Sequence, residues 1–269
     1  MVLTACATSP LGRSQFKLFS DEQVARMGQS SFEQVKEEKT ISPDAARSAY
    51  VECVTEALIA ELPPEWRTGW EVVIFDDETA NAFAVPGRRV GVHTGILLIA
   101  QSPDQLAAIL GHEISHVQAG HGNERMSQVL AAQAGLLAAA AMTDSATPGG
   151  RATLAALGLG AQFGLLLPFS RSHENEADLM GLDLMAQAGF EPGESVVLWR
   201  NMAEQAGGQP PEWMSSHPAH ASRIRELSRR MARAQVLADE ALAAGRQPHC
   251  PRPPDPPAPD ASADPEAPE

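Results

Sequence analysis

Apolar positions recur with helical spacing over most of the chain, and strand-like patterning is confined to one short stretch. From residue 20 to residue 62 the pattern is helical: Ser20-Asp21-Glu22-Gln23 reads as a capping box, and Ser42-Pro43-Asp44 opens a second helix over 45–62 that stops before Pro63-Pro64. Three runs follow at 70–75, 82–85 and 89–92, separated by Asp-Asp and Pro-Gly turn signals, and these are the expected strands. Ser102-Pro103-Asp104-Gln105 then offers a serine cap, a proline at the first helical position and a glutamine three residues after the cap. The helix it starts carries Leu106, Leu110, Ile114 and Val117 on one side. Two strongly apolar stretches come next, 129–142 and 152–169. Each is shorter than the roughly 20 residues that cross a bilayer, so buried or membrane-apposed helices are expected rather than a transmembrane hairpin. Further helices are expected over 172–188, closed by Gly189, over 196–206 and over 219–242. The fold class that results is α+β, mainly helical, with a small antiparallel sheet beside the helix that begins after Ser102.

A chain of 269 residues accommodates one catalytic domain or two small ones. Its formal charge of -14 speaks against a nucleic-acid partner, which would demand clustered Lys and Arg. Much of the acidity lies at the end, where Asp255, Asp260, Asp264, Glu266 and Glu269 alternate with prolines. Residues 246–269 therefore read as a Pro/Ala/acid-rich disordered tail, 20–245 as the folded domain and 1–19 as leader and tether. Among the cysteines, Cys6 follows Leu3-Thr4-Ala5, which resembles the lipobox of bacterial lipoproteins, with Cys6 as the lipidated residue. Only five residues precede it, so the export signal looks truncated. With Ala7 in the next position, that resemblance implies an outer-membrane anchor facing the periplasm. An oxidising compartment allows Cys53 and Cys250 to pair in a disulfide, two free thiols being the alternative.

The chemistry concentrates in Gly111-His112-Glu113-Ile114-Ser115-His116-Val117, an HExxH on the helix after Ser102. Residues four apart share a helix face, so His112 and His116 can grip one ion. Glu113 lies about a quarter-turn round from His112 and can reach the attacking water without being a ligand. A helix with two solvated histidines is the competing reading until a third ligand is found. Glu174-Asn175-Glu176-Ala177-Asp178 offers one: Glu174 and Asp178 are four apart, so Glu174 can bind the metal while Asp178 accepts the outer N–H of a ligating histidine. Glu176 is the rival carboxylate, but it sits about 200° round the helix and should face away.

Together with Ser170-Arg171-x-x-Glu174-x-x-Ala177-Asp178-x-x-Gly181, Ser216-His217-Pro218, Arg223-Ile224, Asn81-Ala82-Phe83-Ala84-Val85-Pro86-Gly87 and Thr94-Gly95-Ile96-Leu97, the HExxH segment resembles the HtpX / CAAX-prenyl-protease family of gluzincin metallopeptidases. The likeness covers about residues 42–227 and is greatest for the small bacterial lipoprotein members. It implies one zinc ion held by His112, His116 and Glu174, with Glu113 as the catalytic base. It suggests that His217 either hydrogen-bonds the oxyanion of the tetrahedral intermediate or occupies the open zinc position in a resting form. Arg223, about two turns along the next helix, would brace the site, and the strand at Asn81, Ala82 and Phe83 would bind an extended substrate by its edge. His121, five residues after His116 and off its face, is expected to be a supporting or structural residue, and His173 and His220 have no independent geometric support.

The activity implied is a zinc endopeptidase of the bacterial cell envelope, acting on unfolded or misfolded envelope proteins and held at the membrane by a lipid anchor. The alternative is a non-catalytic zinc-containing chaperone or assembly factor for outer-membrane proteins.

Overall fold

The computed structural model describes residues 6–143, 146–161, 167–205, 212–217 and 221–255. Its first elements are the short strands β1 (Cys6–Thr8) and β2 (Ser14–Phe16), which pair antiparallel as a hairpin. Helix α1 (Asp21–Glu38) starts at a capping box, with the Ser20 side chain accepting from Gln23 N and the Gln23 side chain returning to the Ser20 backbone. Helix α2 (Ala45–Ala60) is capped by Asp44 rather than Ser42, its carboxylate accepting from the Ala46 and Arg47 amides. Strands β3 (Glu71–Phe75), β4 (Ala82–Val85) and β5 (Arg89–His93) form one sheet in the order β3-β5-β4.

That sheet corrects one expectation. β4 pairs antiparallel with β5 through the turn at Pro86-Gly87, but β3 pairs parallel with β5, so the sheet is mixed. Turn chemistry can be read between adjacent strands; which strand is inserted in the middle is decided by non-local packing.

Helix α3 (Pro103–Gln118) begins at Ser102, whose side chain accepts from Gln105 N. Apolar burial on one side seats it against α2, where Val51, Val54, Leu58, Leu106, Ile109 and Leu110 belong to one core. The other side is buried as well, so α3 runs through the middle of the molecule instead of lying on it as an amphipathic helix. Gly120 takes a left-handed conformation (φ 68°), a turn that a residue with a side chain enters only with strain, and α4 (His121–Met142) starts directly after it. The apolar stretch at 129–142 is therefore the distal part of a 22-residue helix. It is not buried: Leu137 is 72% and Met142 89% exposed, because that end of α4 packs mainly on α5 (Pro148–Ala161). Among the described residues no helix is long and apolar enough to cross a membrane.

Helix α6 (Leu167–Gln187) crosses α3, and α7 (Glu194–Gln205), the short α8 (Glu212–Ser216) and α9 (Ala221–Ala243) complete the order. The crossing is close because it is made by glycines. A Cβ on Gly181 would stand 2.7 Å from the His112 amide nitrogen and 2.8 Å from the Gly111 carbonyl carbon. That approach brings the carboxylates of α6 beside the histidines of α3.

Both ends of the chain depart from the expected boundaries. The segment expected to be a tether is docked: Gln15 is buried and donates to Ala119 O (2.8 Å), and Leu18 N donates to Ser127 Oγ (2.8 Å) on α4. The folded part also extends past residue 245. Cys250 is buried and bonded to Cys53 of α2, and Arg252 donates to Leu97 O (3.0 Å). Proline-rich composition at 246–255 marks an absence of helix, not an absence of packing. Residues 1–5, with the start of the lipobox, and 256–269 lie outside the described residues.

Candidate metal centre

His112 and His116 project from one face of α3, with their Nε2 atoms 3.0 Å apart and their rings edge to face at 4.6 Å. Glu174 of α6 meets both: its Oε2 is 3.4 Å from His112 Nε2, and its Oε1 is 3.5 Å from His116 Nε2. His217, just after α8, adds a third imidazole, its Nδ1 3.2 Å from His112 Nε2 and 3.0 Å from Glu174 Oε2. One donor atom from each of these four residues falls within 4.8 Å of every other. Three imidazole nitrogens and a carboxylate converging on one point, with His112 and Glu174 buried, is a donor set that fits a divalent cation, and tetrahedral zinc takes this mixture of nitrogen and oxygen ligands.

The far sides of the imidazoles agree with that fit. His112 Nδ1 faces Asp178 Oδ1 at 3.0 Å, so the Nδ1–H donates to that carboxylate and Nε2 is the nitrogen turned toward the cluster. Asp178 is in turn clamped by Arg223, whose Nε and Nη2 reach its two oxygens at 2.6 and 2.7 Å. Arg223 is almost wholly buried, spans to Glu174 (3.1 Å) and to the His217 carbonyl (3.0 Å), and lies over the Trp199 ring at 4.4 Å. It sits in the first turn of α9, closer to the helix start than the two turns expected.

Electrostatics follow from burial and pairing. Burial opposes ionisation of Glu174, yet hydrogen bonds from His112 and His217 hold it far below the usual carboxylate range. Burial likewise works against a charged His112, but Asp178 and Glu174 outweigh it and push its pKa up to about 9. His116 moves the other way, well below the ordinary histidine value, through burial and the neighbouring His112 charge. Asp178 stays ionised, because Arg223 and His112 overcome the effect of its burial.

Glu113 stands apart from the donor set. The Trp213 indole N–H donates to its Oε1 (2.7 Å) and the Ala84 amide to its Oε2 (3.3 Å), while His217 Nε2 lies 3.3 Å from Oε1. The carboxylate is thereby held beside the histidines without joining them. Trp213 went unrecognised in the sequence because α8 is a five-residue helix with no periodic pattern to reveal it. Its acidic Glu212 at the start, beside a lone tryptophan, was the available signal.

The Ala84 contact also orients the sheet. β4 is an edge strand, and an amide that reaches Glu113 puts its open edge toward α3. The side chains at Asn81, Ala82 and Phe83 have other work. Ala82 is buried in the core, Phe83 stacks on Phe75 with ring centres 6.3 Å apart, and Asn81 donates to Glu212 (3.1 Å). A cleft of about 570 Å³ opens along this edge, lined by Trp66, Phe83, Pro86, Glu113, His116 and His217 among others.

Three residues that the sequence does not place among the ligands are adjacent to them. His121 faces His116 (Nδ1 to Nδ1, 2.8 Å), Glu176 faces His121 (3.2 Å), and His173 stacks on His121 at 4.4 Å between ring centres. Glu176 does point away from the donor cluster, as its helical phase requires, but into a buried polar layer rather than solvent. His220 lies outside the described residues.

Two helices crossing at glycines, one with HExxH and the other with a glutamate opposite, define the scaffold of an HExxH metallopeptidase. Residues 45–231 match the model of Peptidase family M48, and the chain belongs to that family. It is 35% identical over 229 residues to mitochondrial metalloendopeptidase OMA1 of Schizosaccharomyces pombe, covering 83% of this chain and 66% of the relative. It is 31% identical to the human metalloendopeptidase OMA1 (81% and 43% covered) and 28% identical to the beta-barrel assembly-enhancing protease of Yersinia pestis (82% and 46% covered). The chain thus spans between 43% and 66% of the length of these relatives.

Proposed function

We propose that the chain is a zinc-dependent endopeptidase that cleaves extended segments of unfolded or misfolded proteins in the bacterial cell envelope. The observation that carries this reading is the placement of Glu113: a buried carboxylate fixed by Trp213 and Ala84 next to, but outside, a His112/His116/Glu174 donor set. A purely structural metal site has no use for a carboxylate so placed, which favours catalysis over a non-catalytic chaperone or assembly role. His112, His116 and Glu174 would hold zinc, which when bound polarises the scissile carbonyl and acidifies water.

The residues divide the remaining work. The open edge of β4 takes the substrate backbone as an added strand, by main-chain hydrogen bonds rather than by the side chains of Asn81, Ala82 or Phe83. Glu113 accepts a proton from the attacking water as its oxygen bonds to the carbonyl carbon. It then passes that proton to the amide nitrogen as the C–N bond breaks. His217 occupies a donor position in the resting arrangement; swung toward the substrate, its N–H can donate to the oxyanion, a contact worth about 3 kcal/mol in comparable sites. Asp178 and Arg223 hold His112 and Glu174 in place.

Localisation rests on Cys6. The lipobox resemblance implies the periplasmic face of the outer membrane, and the Cys53–Cys250 disulfide suits an oxidising compartment. Lipid labelling that depends on Cys6 tests this directly.

Glu113→Gln is the decisive variant for the activity. It should retain one zinc per chain and lose at least about 1000-fold in cleavage of an unfolded protein, in line with removal of a group acting at the reacting atoms. Undiminished cleavage would remove Glu113 from the mechanism.

A further inference from the structure

The two proposed imidazole ligands are not supported alike. His112 leans directly on Asp178, whereas His116 leans on a second imidazole. The Nδ1 of His116 is 2.8 Å from the Nδ1 of His121, the first residue of α4. For His116 to offer Nε2 to a cation it must carry its proton on Nδ1, so His121 receives that bond on an unprotonated Nδ1. His121 then carries its own proton on Nε2, which lies 3.2 Å from Glu176 Oε2. Glu176 accepts from Arg13 Nε (3.0 Å) and from the Ser9 hydroxyl, both in the N-terminal hairpin. Arg13 is anchored a second time by a two-pronged contact with Glu124, 2.7 Å on each side, and Gln15 donates to the same carboxylate at 3.0 Å. Each proton along this path has one consistent position.

We propose that His121, Glu176 and Arg13 form a positioning chain for His116, which makes the docked N-terminal hairpin part of the metal site and couples its docking to metal binding. The inference rests on the reading of His112, His116 and Glu174 as metal ligands. His121 stands outside the donor set and acts through His116. Its distance in sequence and in helix phase is bridged by the left-handed turn at Gly120, which swings the first residue of α4 back beneath the end of α3. Coupling runs both ways: if the hairpin orders His116, a cation on His116 stabilises the hairpin.

The test uses the full chain, stripped by a chelator and titrated with zinc against a chromophoric competitor. His121→Ala should weaken zinc about 10- to 100-fold, the range for removing an outer partner of a ligating histidine. His121→Asn, whose side-chain oxygen can replace Nδ1 as acceptor, should recover most of that loss. Arg13→Ala should weaken zinc by a smaller factor, on the order of 3- to 10-fold, with Arg13→Lys intermediate. With cobalt in place of zinc, the visible absorption bands should shift in His121→Ala and return in His121→Asn, a change that a general loss of packing would not produce. Amide exchange over residues 7–16 of the wild type should slow when zinc is added. Wild-type zinc binding together with unchanged affinity in both His121→Ala and Arg13→Ala would overturn the positioning chain while leaving the metal site intact. So would exchange in the hairpin that is indifferent to zinc. A wild type that takes up no zinc would instead overturn the ligand assignment beneath it. Arg13 is partly exposed, 24% by side chain, so its variants keep the test decisive if His121→Ala does not fold.

Discussion

The two sides of the metal centre are built from the same chemistry in different depths of protein. On the His112 side, one carboxylate and one guanidinium, Asp178 and Arg223, touch the ligands directly and come from the helices α6 and α9 of the main core. On the His116 side an imidazole intervenes, and the final guanidinium, Arg13, comes from a two-stranded hairpin on the surface. The first arrangement is rigid because each member is buried and doubly bonded. The second is reached through a small element that local opening can detach at little expense to the core. Fixed geometry is thus supplied from one side and adjustable geometry from the other.

Breaking the rigid side should have the largest effect. Asp178→Ala leaves Arg223 buried without its bidentate partner and His112 without its acceptor. It should lower stability by about 3–5 kcal/mol, visible as a fall in thermal midpoint, and also weaken zinc. Gly181→Ala should disturb both sides together. A methyl group 2.7 Å from the His112 amide nitrogen must spread α3 from α6, with a stability loss of about 1–3 kcal/mol and weaker metal binding that neither supporting chain can restore. Glu176→Ala acts on the adjustable side alone. It should cost about 1–3 kcal/mol or less, since Arg13 keeps Glu124, and its zinc affinity should fall less than that of Asp178→Ala. Equal losses in the Asp178 and Glu176 variants, measured by chelator competition and calorimetry, would erase the distinction between the sides.

This asymmetry also explains which residues the sequence made legible. His112, Glu113 and His116 lie within five residues on one helix, so helical phase alone placed them, and Glu174 and Asp178 share a face for the same reason. A supporting role for Asp178 toward a ligating histidine follows from that face; that the histidine is His112 comes from the structure. His121 reads as a supporting or structural residue, but its contact with His116 does not, because continuing the phase of α3 through residue 121 ignores the left-handed residue at Gly120. The direction of Glu176 follows from helical phase, but its surroundings do not: α6 is covered on that side by His121 and the hairpin. Arg13 and Ser9 lie in a stretch whose composition suits a linker; it pairs locally as a hairpin, and contacts more than 100 residues away in sequence dock it against the core. The helices after residue 100 were foreseen in number except for α8, while the parallel pairing of β3 with β5 depended on strand order, which no local signal encodes.

The central claim is that two imidazoles of α3 and one carboxylate of α6 hold a single divalent cation. X-ray absorption at the zinc edge of the protein loaded with one equivalent tests it most directly. The account predicts a shell of nitrogen and oxygen at about 2.0–2.1 Å, imidazole scattering from at least two rings and no sulfur, lost in a His112→Ala/His116→Ala variant. A sulfur shell near 2.3 Å, or a wild-type spectrum unchanged in that double variant, would contradict it.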